Sequence, residues 1–325
     1  MLDLSLLCGY GLRRDDGTLD QSLTRSVARD ALADPATYDV LLRSLPPMSI
    51  PAGIKRRALW DGARKVFGRD IDQPPQLVGD CVGFGARHAV EYCQVAAILA
   101  GKRATFENIF APFHWGMGRL APDCGNNACG RQDGSMGSWQ AKALVKYGCL
   151  ANDAVDAQGE RLPAYSAAVA RQWGNRPGPT AAWQALGVKH LVTAATPCRS
   201  KDDLVTALLA GNPVTVASNQ GFTMLPQADG FHHPSGTWAH QMMFEMVDLG
   251  EDDGSIEPHV AINNNWGDVH GQVIDFRTKE AWPKGRLRVR LEVALRMVAA
   301  NDSFIYTGVN TWFAPDPAAH TFDPF

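Results

Sequence analysis

The residues with the clearest potential for chemistry begin with a cysteine at the start of an apolar helix. From Cys81 onward apolar residues recur at helical spacing until Gly101, which predicts a helix over 81–100. Unpaired backbone amides at a helix N-terminus favour a negative charge and lower the pKa of a thiol there. Asp80 is the expected N-cap. Cys81 is therefore a candidate nucleophile whose thiol we expect to ionise more easily than a free one.

A histidine and an asparagine lie far downstream, at the ends of two predicted strands. His240 precedes the strand at 241–247, and Asn264 follows the strand at 259–262. In a hairpin these two side chains can lie side by side. The asparagine carbonyl then accepts from one ring nitrogen and leaves the other facing the thiol, with Trp266 covering this hydrogen bond. Together with the cysteine they would supply a nucleophile, a base and an orienting group.

The elements that must hold these residues are helical early in the chain and strand-rich later. The segments with a helical pattern are 19–33, 54–66, 81–100, 138–147 and 200–211. The segments with a strand pattern are 213–217, 241–247, 259–262, 272–276, 286–291 and 304–307. Ser200 and Asp203 form a capping pair for the last helix. Helices followed by antiparallel strands predict an α+β architecture with a cleft between its halves.

The order of these motifs resembles that of the papain-like cysteine peptidases. In that family a glutamine precedes the nucleophile at the start of the central helix, a histidine follows in the second domain, and an asparagine lies in an Asn-Ser-Trp-Gly motif. Here Pro-Gln-Leu-Val-Gly-Asp-Cys-Val-Gly-Phe at 75–84 matches the first element and His240 the second. Asn-Asn-Trp-Gly at 264–267 matches the third, with Asn265 where the family usually has serine.

The resemblance covers about residues 70–310 and implies a two-lobed papain-like fold. Residues 1–70 would be an N-terminal extension or cap. Residues 71–195 would form a helical lobe that carries the nucleophile, and residues 196–325 a lobe resembling an antiparallel β-barrel that carries the histidine and asparagine. The cleft would lie between the two lobes.

The resemblance also implies the roles of individual residues. The expected catalytic residues are Cys81, His240, Asn264 and Gln76, of which Gln76 would donate to the oxyanion together with the Cys81 amide. The expected substrate-binding residues are Gly134 and Gly137, in a stretch similar to the family's glycine-rich substrate wall, and Trp266.

Several positions depart from the family pattern. Val82 stands where the family has tryptophan, and Cys-Val-Gly is more similar to bacterial and viral branches than to plant or lysosomal ones. Gln76 is one residue nearer to the cysteine than the family's glutamine, so Gln73 is a rival for the oxyanion role. His240 and Asn264 lie beyond the roughly 130–150 residues expected after the nucleophile. Residues 1–70 lack the pattern of an inhibitory helical pro-segment.

Composition excludes several functional classes. The 325 residues carry 31 Lys and Arg against 34 Asp and Glu, a net charge of −3, so no global basic field exists to bind nucleic acid or a membrane surface. The N-terminal residues place Asp3 before the first positive charges, unlike a secretory signal peptide. We therefore expect a cytoplasmic or virion-associated protein with a polypeptide substrate, and no nucleic-acid or membrane partner.

The seven cysteines are an odd number, so reduced thiols are the expectation. Cys124 and Cys129, with His114 upstream, could form a zinc knuckle, but no second cysteine pair has matching spacing. Two ordinary thiols or one loop disulfide fit better. Gly83-Phe-Gly85 lacks the third glycine and the preceding strand of a dinucleotide site. No metal or other cofactor is expected.

Three functions fit these observations. The first is a cysteine peptidase that uses Cys81, His240 and Asn264. The second is a structural or assembly protein, for example in a virus particle, that keeps the scaffold without needing catalysis. The third is a thiol amidase or acyltransferase with the same three groups. The retained asparagine favours an enzyme, since an inactive site has little need of an orienting group.

Overall fold

The computed structural model describes residues 50, 52–310 and 312. The helices are α1 (Leu59–Phe67), α2 (Cys81–Leu99), α3 (Ala111–Leu120), α4 (Gly137–Lys146), α5 (Ala167–Gly174), α6 (Ala181–Gly187), α7 (Lys201–Ala210) and α8 (Leu291–Val298). The strands are β1 (Arg56–Ala58), β2 (Val192–Pro197), β3 (Val214–Phe222), β4 (Pro234–Asp248), β5 (His259–Asn263), β6 (Arg286–Arg290) and β7 (Ser303–Val309).

The strands form one antiparallel sheet of seven strands. Its order is β2-β7-β3-β4-β5-β6, and β1 pairs with β4 outside this path. Strand β4 is the longest and pairs with both β3 and β5. Within the described residues the end strands β2 and β6 do not pair with each other, so the sheet is open. The prediction of mixed helices and antiparallel strands is confirmed, whereas the closed, barrel-like arrangement is not found.

Both faces of the sheet are covered. Successive residues of a strand point to opposite faces. Met243 joins a core with α2 and β7, while Met242 and Phe244 join a second core with α7, α8 and β3. Helix α2 is buried along nearly its whole length, as expected of a helix enclosed on every side. The sheet therefore fixes the first turn of α2 against β4.

Most of the predicted elements that carry the site are confirmed. Helix α2 begins at Cys81, α4 and α7 lie within one residue of their predicted bounds, and β4, β5 and β6 occupy the predicted strand segments. The predicted helix at 19–33 lies outside the described residues. In the segment 54–66 the helix begins only at Leu59, because residues 56–58 form β1 along the edge of β4.

The predicted strand at 272–276 is wrong. Its backbone forms only an isolated bridge between Ile274 and Ala281. The Asp275 carboxylate accepts hydrogen bonds from the amides of Arg277 and Thr278, at 2.8 and 3.0 Å. An aspartate that bonds the amides following it stabilises a turn, and this turn ends the extended segment.

The sequence did not indicate α3, α5, α6, α8, β1 or β2. Helix α3 shows why, because nine of its ten residues are buried and it contains two glycines. A helix enclosed on all sides has no alternation of apolar and polar faces to detect.

Among the described residues, none of the helices is long and apolar enough to cross a bilayer.

The capping box of α7 generates a test of stability. Ser200 accepts from the Asp203 amide, and the Asp203 side chain accepts from the Ser200 amide, both at 3.0 Å. We expect Ser200→Ala to lower the free energy of unfolding by about 1 kcal/mol in urea denaturation. Thr180 occupies the N-cap of α6 without a side-chain cap bond, so Thr180→Ala is the matched control. Equal losses of unfolding free energy in the two variants would contradict the capping role of Ser200.

Candidate active site

Cys81 is the first residue of α2 and lies against β4. Its side chain is buried, at 1% exposure, and the nearby backbone amide of Gln241 favours the charged form of its sulfur. Two glycines permit this approach. A Cβ on Gly85 would lie 3.2 Å from the Gln241 side chain, and a Cβ on Gly83 would lie 2.9 Å from Trp115 of α3. The Gly-Phe-Gly sequence thus serves close packing around the cysteine.

The expectation of an easily ionised thiol is wrong for this structure. Burial, with a smaller contribution from the neighbouring Asp80 charge, raises the pKa of Cys81 to about 12. The Gln241 amide lowers the pKa by a smaller amount. The free-energy cost of removing a thiolate from water is larger than the stabilisation that the amides at a helix N-terminus provide. At neutral pH the resting sulfur is therefore protonated and needs a base to become a nucleophile.

Asp80 occupies the predicted N-cap position, but its side chain caps no helix amide. Its Oδ2 instead accepts from the Tyr165 hydroxyl at 2.9 Å. Burial raises the pKa of Asp80 to about 8. A carboxyl with this pKa is largely neutral near pH 7, which limits its repulsion of a thiolate on the next residue.

His240 and Asn264 are in direct contact. His240 lies on β4, Asn264 directly follows β5, and the ring Nε2 donates to Asn264 Oδ1 at 2.8 Å. The other ring nitrogen, Nδ1, is buried and has no hydrogen-bond partner among the described residues. Because Nε2 carries the proton, Nδ1 is free to accept one. Burial lowers the pKa of His240 to about 4, so the ring is neutral near pH 7.

Trp266 lies against this pair. Its side chain is 2% exposed, and its ring centroid is 4.8 Å from that of His240 and 4.7 Å from that of Trp238. The Trp266 indole lies beside the imidazole, is itself covered by Trp238, and keeps water away from the hydrogen bond to the asparagine. The substrate-binding role of Trp266 stays a prediction.

Asn265 connects the cysteine and the histidine segments. Its Nδ2 donates to the carbonyl oxygens of Cys81 and Gln241, at 3.2 and 3.0 Å. One side-chain amide thus holds both Cys81 and Gln241, the residue that follows His240. Sequence reasoning recorded Asn265 only as a departure from the family's serine, although its longer side chain is what allows both contacts.

The two glutamines that compete for the oxyanion role differ in their contacts. Gln76 is buried, its backbone amide donates to the Asn265 carbonyl at 2.8 Å, and its Nε2 donates to the Val78 carbonyl at 2.9 Å. Gln73 accepts from Asn263 through Oε1 at 3.0 Å. Gln76 is therefore tied to the segment that contacts Cys81, and its side-chain NH₂, which gives one N–H to Val78, has a second N–H to donate.

The backbones of the two glycines predicted to bind substrate form hydrogen bonds within the protein. The Gly134 carbonyl accepts from the Arg119 guanidinium. The Gly137 amide begins α4 and donates to Asp302 Oδ2 at 2.8 Å. Asp302 also accepts from the Ser138 amide at 2.8 Å, so a carboxylate from the β7 side binds the start of this helix. The substrate contacts of both glycines stay predictions.

The candidate zinc knuckle does not assemble. Cys124 and Cys129 are free thiols that pack with Met136 and Trp139, and His114 bonds instead to the Gly83 carbonyl at 2.9 Å. Within residues 50, 52–310 and 312, no three His, Cys, Asp or Glu side chains are grouped closely enough to hold a metal ion.

Sequence reasoning missed His270. This buried residue accepts a hydrogen bond through Nε2 from Asn264 Nδ2 at 2.7 Å. It follows the Asn-Asn-Trp-Gly motif in a loop. Its proximity to Asn264 along the chain was the available signal, but loop residues can point in any direction.

Comparison with solved structures identifies the fold. The chain is similar to xylellain, a cysteine protease from Xylella fastidiosa, with 14% identity over 80% of this chain and 87% of that chain and a TM-score of 0.50. It also matches the proform of the ragweed pollen cysteine protease Amb a 11, with 14% identity over 83% and 68% of the two chains and a TM-score of 0.49. Procathepsin B S9 from Trypanosoma congolense gives 13% identity, 82% and 83% coverage, and a TM-score of 0.48.

No protein-family model and no curated protein matches the chain. The structural neighbours are cysteine proteases, and the likeness to xylellain shows that this chain shares its fold. The narrower assignment to a bacterial or viral branch stays a prediction, as do the domain boundaries at residues 70 and 195.

The buried His240 makes stability depend on pH. Its pKa is about 4 in the fold against an ordinary value of 6.5, so between these pH values the unfolded chain binds a proton that the folded chain does not. The neutral ring makes its full contribution to the free energy of unfolding above pH 6.5. As pH falls below that value the contribution is lost, by up to about 1.4 kcal/mol per pH unit. We expect the difference in unfolding free energy between wild type and His240→Gln to shrink from pH 7 to pH 5 in urea titrations. A constant or growing difference would contradict this burial.

Proposed function

We propose that this protein is a cysteine peptidase that hydrolyses peptide bonds with Cys81 as nucleophile, His240 as general base and Asn264 as orienting residue. The observation that carries the proposal is the 2.8 Å hydrogen bond between His240 Nε2 and Asn264 Oδ1, which leaves Nδ1 as the proton acceptor. The next residue on β4, Gln241, is joined to Cys81 through the Asn265 side chain, whose Nδ2 donates to both backbone carbonyls. The base and the nucleophile are thus on adjacent backbone segments.

The reaction follows from these assignments. His240 Nδ1 accepts the thiol proton as the Cys81 sulfur attacks the substrate carbonyl, and the imidazolium then protonates the leaving amine. Water, deprotonated by the same nitrogen, hydrolyses the thioester and restores the thiol. Asn264 holds the ring in the required tautomer throughout. The high pKa of Cys81 and the low pKa of His240 describe a neutral resting pair, in which attack and proton transfer occur together.

The proposal includes a polypeptide substrate bound in a cleft between the helical part and the strand-rich part of the chain. It also includes the two-lobed arrangement that the resemblance implies. Both rest on the papain-like fold shared with xylellain.

Selective alkylation tests the nucleophile and the base together. Burial raises the pKa of Cys81 and of the other described thiols alike, so only a base beside its sulfur would make Cys81 react ahead of Cys93, Cys124, Cys129, Cys149 and Cys198. At pH 6 we expect iodoacetamide, followed by mass spectrometry, to modify Cys81 first. His240→Ala should slow that reaction about a hundredfold, because the thiol loses its base.

His114→Gln is the matched control for this experiment. His114 is equally buried, and burial lowers its pKa to about 4, but its ring is bonded to the Gly83 carbonyl. We expect Cys81 to react at the wild-type rate in that variant. A Cys81 that reacts no faster than Cys93, or that ignores His240→Ala, would contradict the proposal.

The oxyanion assignment has its own test. Gln76 is the proposed donor because its backbone is bonded to Asn265, which contacts Cys81. We expect Gln76→Ala to lower kcat on a peptide substrate about 10²- to 10³-fold. Gln73→Ala should leave kcat near the wild-type value. The reverse pattern would transfer the role to Gln73.

The burial of Cys81, at 1% exposure, favours a second candidate function. In that case the chain is a structural or assembly protein that keeps the scaffold without catalysis, and the alkylation experiment separates the two. The amidase or acyltransferase alternative shares the same sulfur chemistry. It differs in the molecule that takes the acyl group from the sulfur. Product analysis of a peptide-library digest with and without an added amine would therefore identify it.

A further inference from the structure

The carboxamide of Asn264 has a partner at each end. Its Oδ1 accepts from His240 Nε2 at 2.8 Å, and its Nδ2 donates to His270 Nε2 at 2.7 Å. An amide that is bonded at only one end can rotate by 180° and exchange its oxygen for its nitrogen. The second bond is what gives this amide a defined orientation.

The tautomer of His270 follows from its own contacts. Its Nδ1 faces the Met224 carbonyl at 3.3 Å, and a carbonyl oxygen can only accept. Nδ1 therefore carries the proton, and Nε2 has a lone pair for Asn264. With a rotated amide, the Asn264 oxygen would instead face this lone pair, and its NH₂ group would face the Nε2–H of His240. Both contacts would be repulsive.

The position of His270 is fixed by separate segments of the chain. The residue is 0% exposed, and its backbone carbonyl accepts from His232 Nε2 at 3.1 Å. His232 in turn accepts through Nδ1 from the Arg288 amide at 3.1 Å, on β6. The His270 ring also lies 6.0 Å from that of Trp266. The ring therefore has little freedom to leave Asn264.

Burial keeps His270 uncharged. Together with smaller contributions from the neighbouring His232 and His240, it lowers the pKa of His270 to about 3. Near neutral pH the Nε2 lone pair is thus available as an acceptor.

We propose that His270 is a positioning residue, which orients the Asn264 amide so that its oxygen accepts from His240 and Nδ1 of His240 remains the base. This inference rests on the proposed function, because it assigns a second supporting group to the same site. His270 does not contact the sulfur. It acts on the reaction only through Asn264.

The test uses two variants that differ in one acceptor. His270→Gln places an amide oxygen near the position of Nε2, where it can accept from Asn264. His270→Leu has a similar size and no acceptor. We expect His270→Leu to slow alkylation of Cys81 by iodoacetamide at pH 6 about tenfold, the kinetic equivalent of one buried hydrogen bond. In His270→Gln we expect most of the wild-type rate. A purely structural role would not give this rescue.

A double-mutant cycle shows whether the effect passes through Asn264. In an Asn264→Ala background, His270→Leu should cause no further loss, because its target is already absent. If His270→Leu does not fold, His270→Asn replaces it. The shorter asparagine amide can form a hydrogen bond with the Met224 carbonyl but cannot reach Asn264. Losses that multiply independently, or equal rates in the Gln variant and the variant without an acceptor, would overturn the inference.

His240→Ala in the same assay separates the two proposals. If His240→Ala slows alkylation while the His270 variants do not, the positioning role is wrong and the proposed function stands. If His240→Ala has no effect, the proposed function itself fails, and the positioning role fails with it.

Discussion

A single buried hydrogen bond, from His240 Nε2 to Asn264 Oδ1, determines what this site can do. Without it, the proton could reside on either ring nitrogen, and the ring could rotate on its strand. With it, one nitrogen is protonated and the other is an acceptor. The Trp266 indole and the lack of exposed surface preserve that arrangement, because water would compete for the same groups.

The rest of the fold ties the segments that carry this hydrogen bond to Cys81. Gly83 and Gly85 of α2 allow α3 and β4 to approach closely, and the amide of Asn265 holds the carbonyls of Cys81 and Gln241 together. The same close packing removes the thiol from water, which raises its pKa. In the proposed mechanism this neutral thiol therefore depends on His240 for attack.

The sequence predicted the elements with a clear pattern and the residues with distinctive chemistry. Helix α2, the capping box of α7, and strands β4 and β5 have strong local signals, and the His240–Asn264 contact follows from their pairing. Helix α3 has no polar face to detect. The thiol pKa and the side-chain contacts of Asp80 depend on burial and on Tyr165, which is distant in the chain. His270 lies in a loop whose path only the fold defines.

The central claim is that Nδ1 of His240 faces the sulfur of Cys81. The most direct measurement is covalent bridging by 1,3-dibromoacetone, a reagent that loses both bromides and joins two nucleophiles through a three-carbon link. After digestion, mass spectrometry should find one bridged peptide pair, containing Cys81 and His240, and the bridge should disappear in His240→Ala. A single-ended adduct on Cys81, or a bridge from Cys81 to another histidine such as His114, would contradict the account.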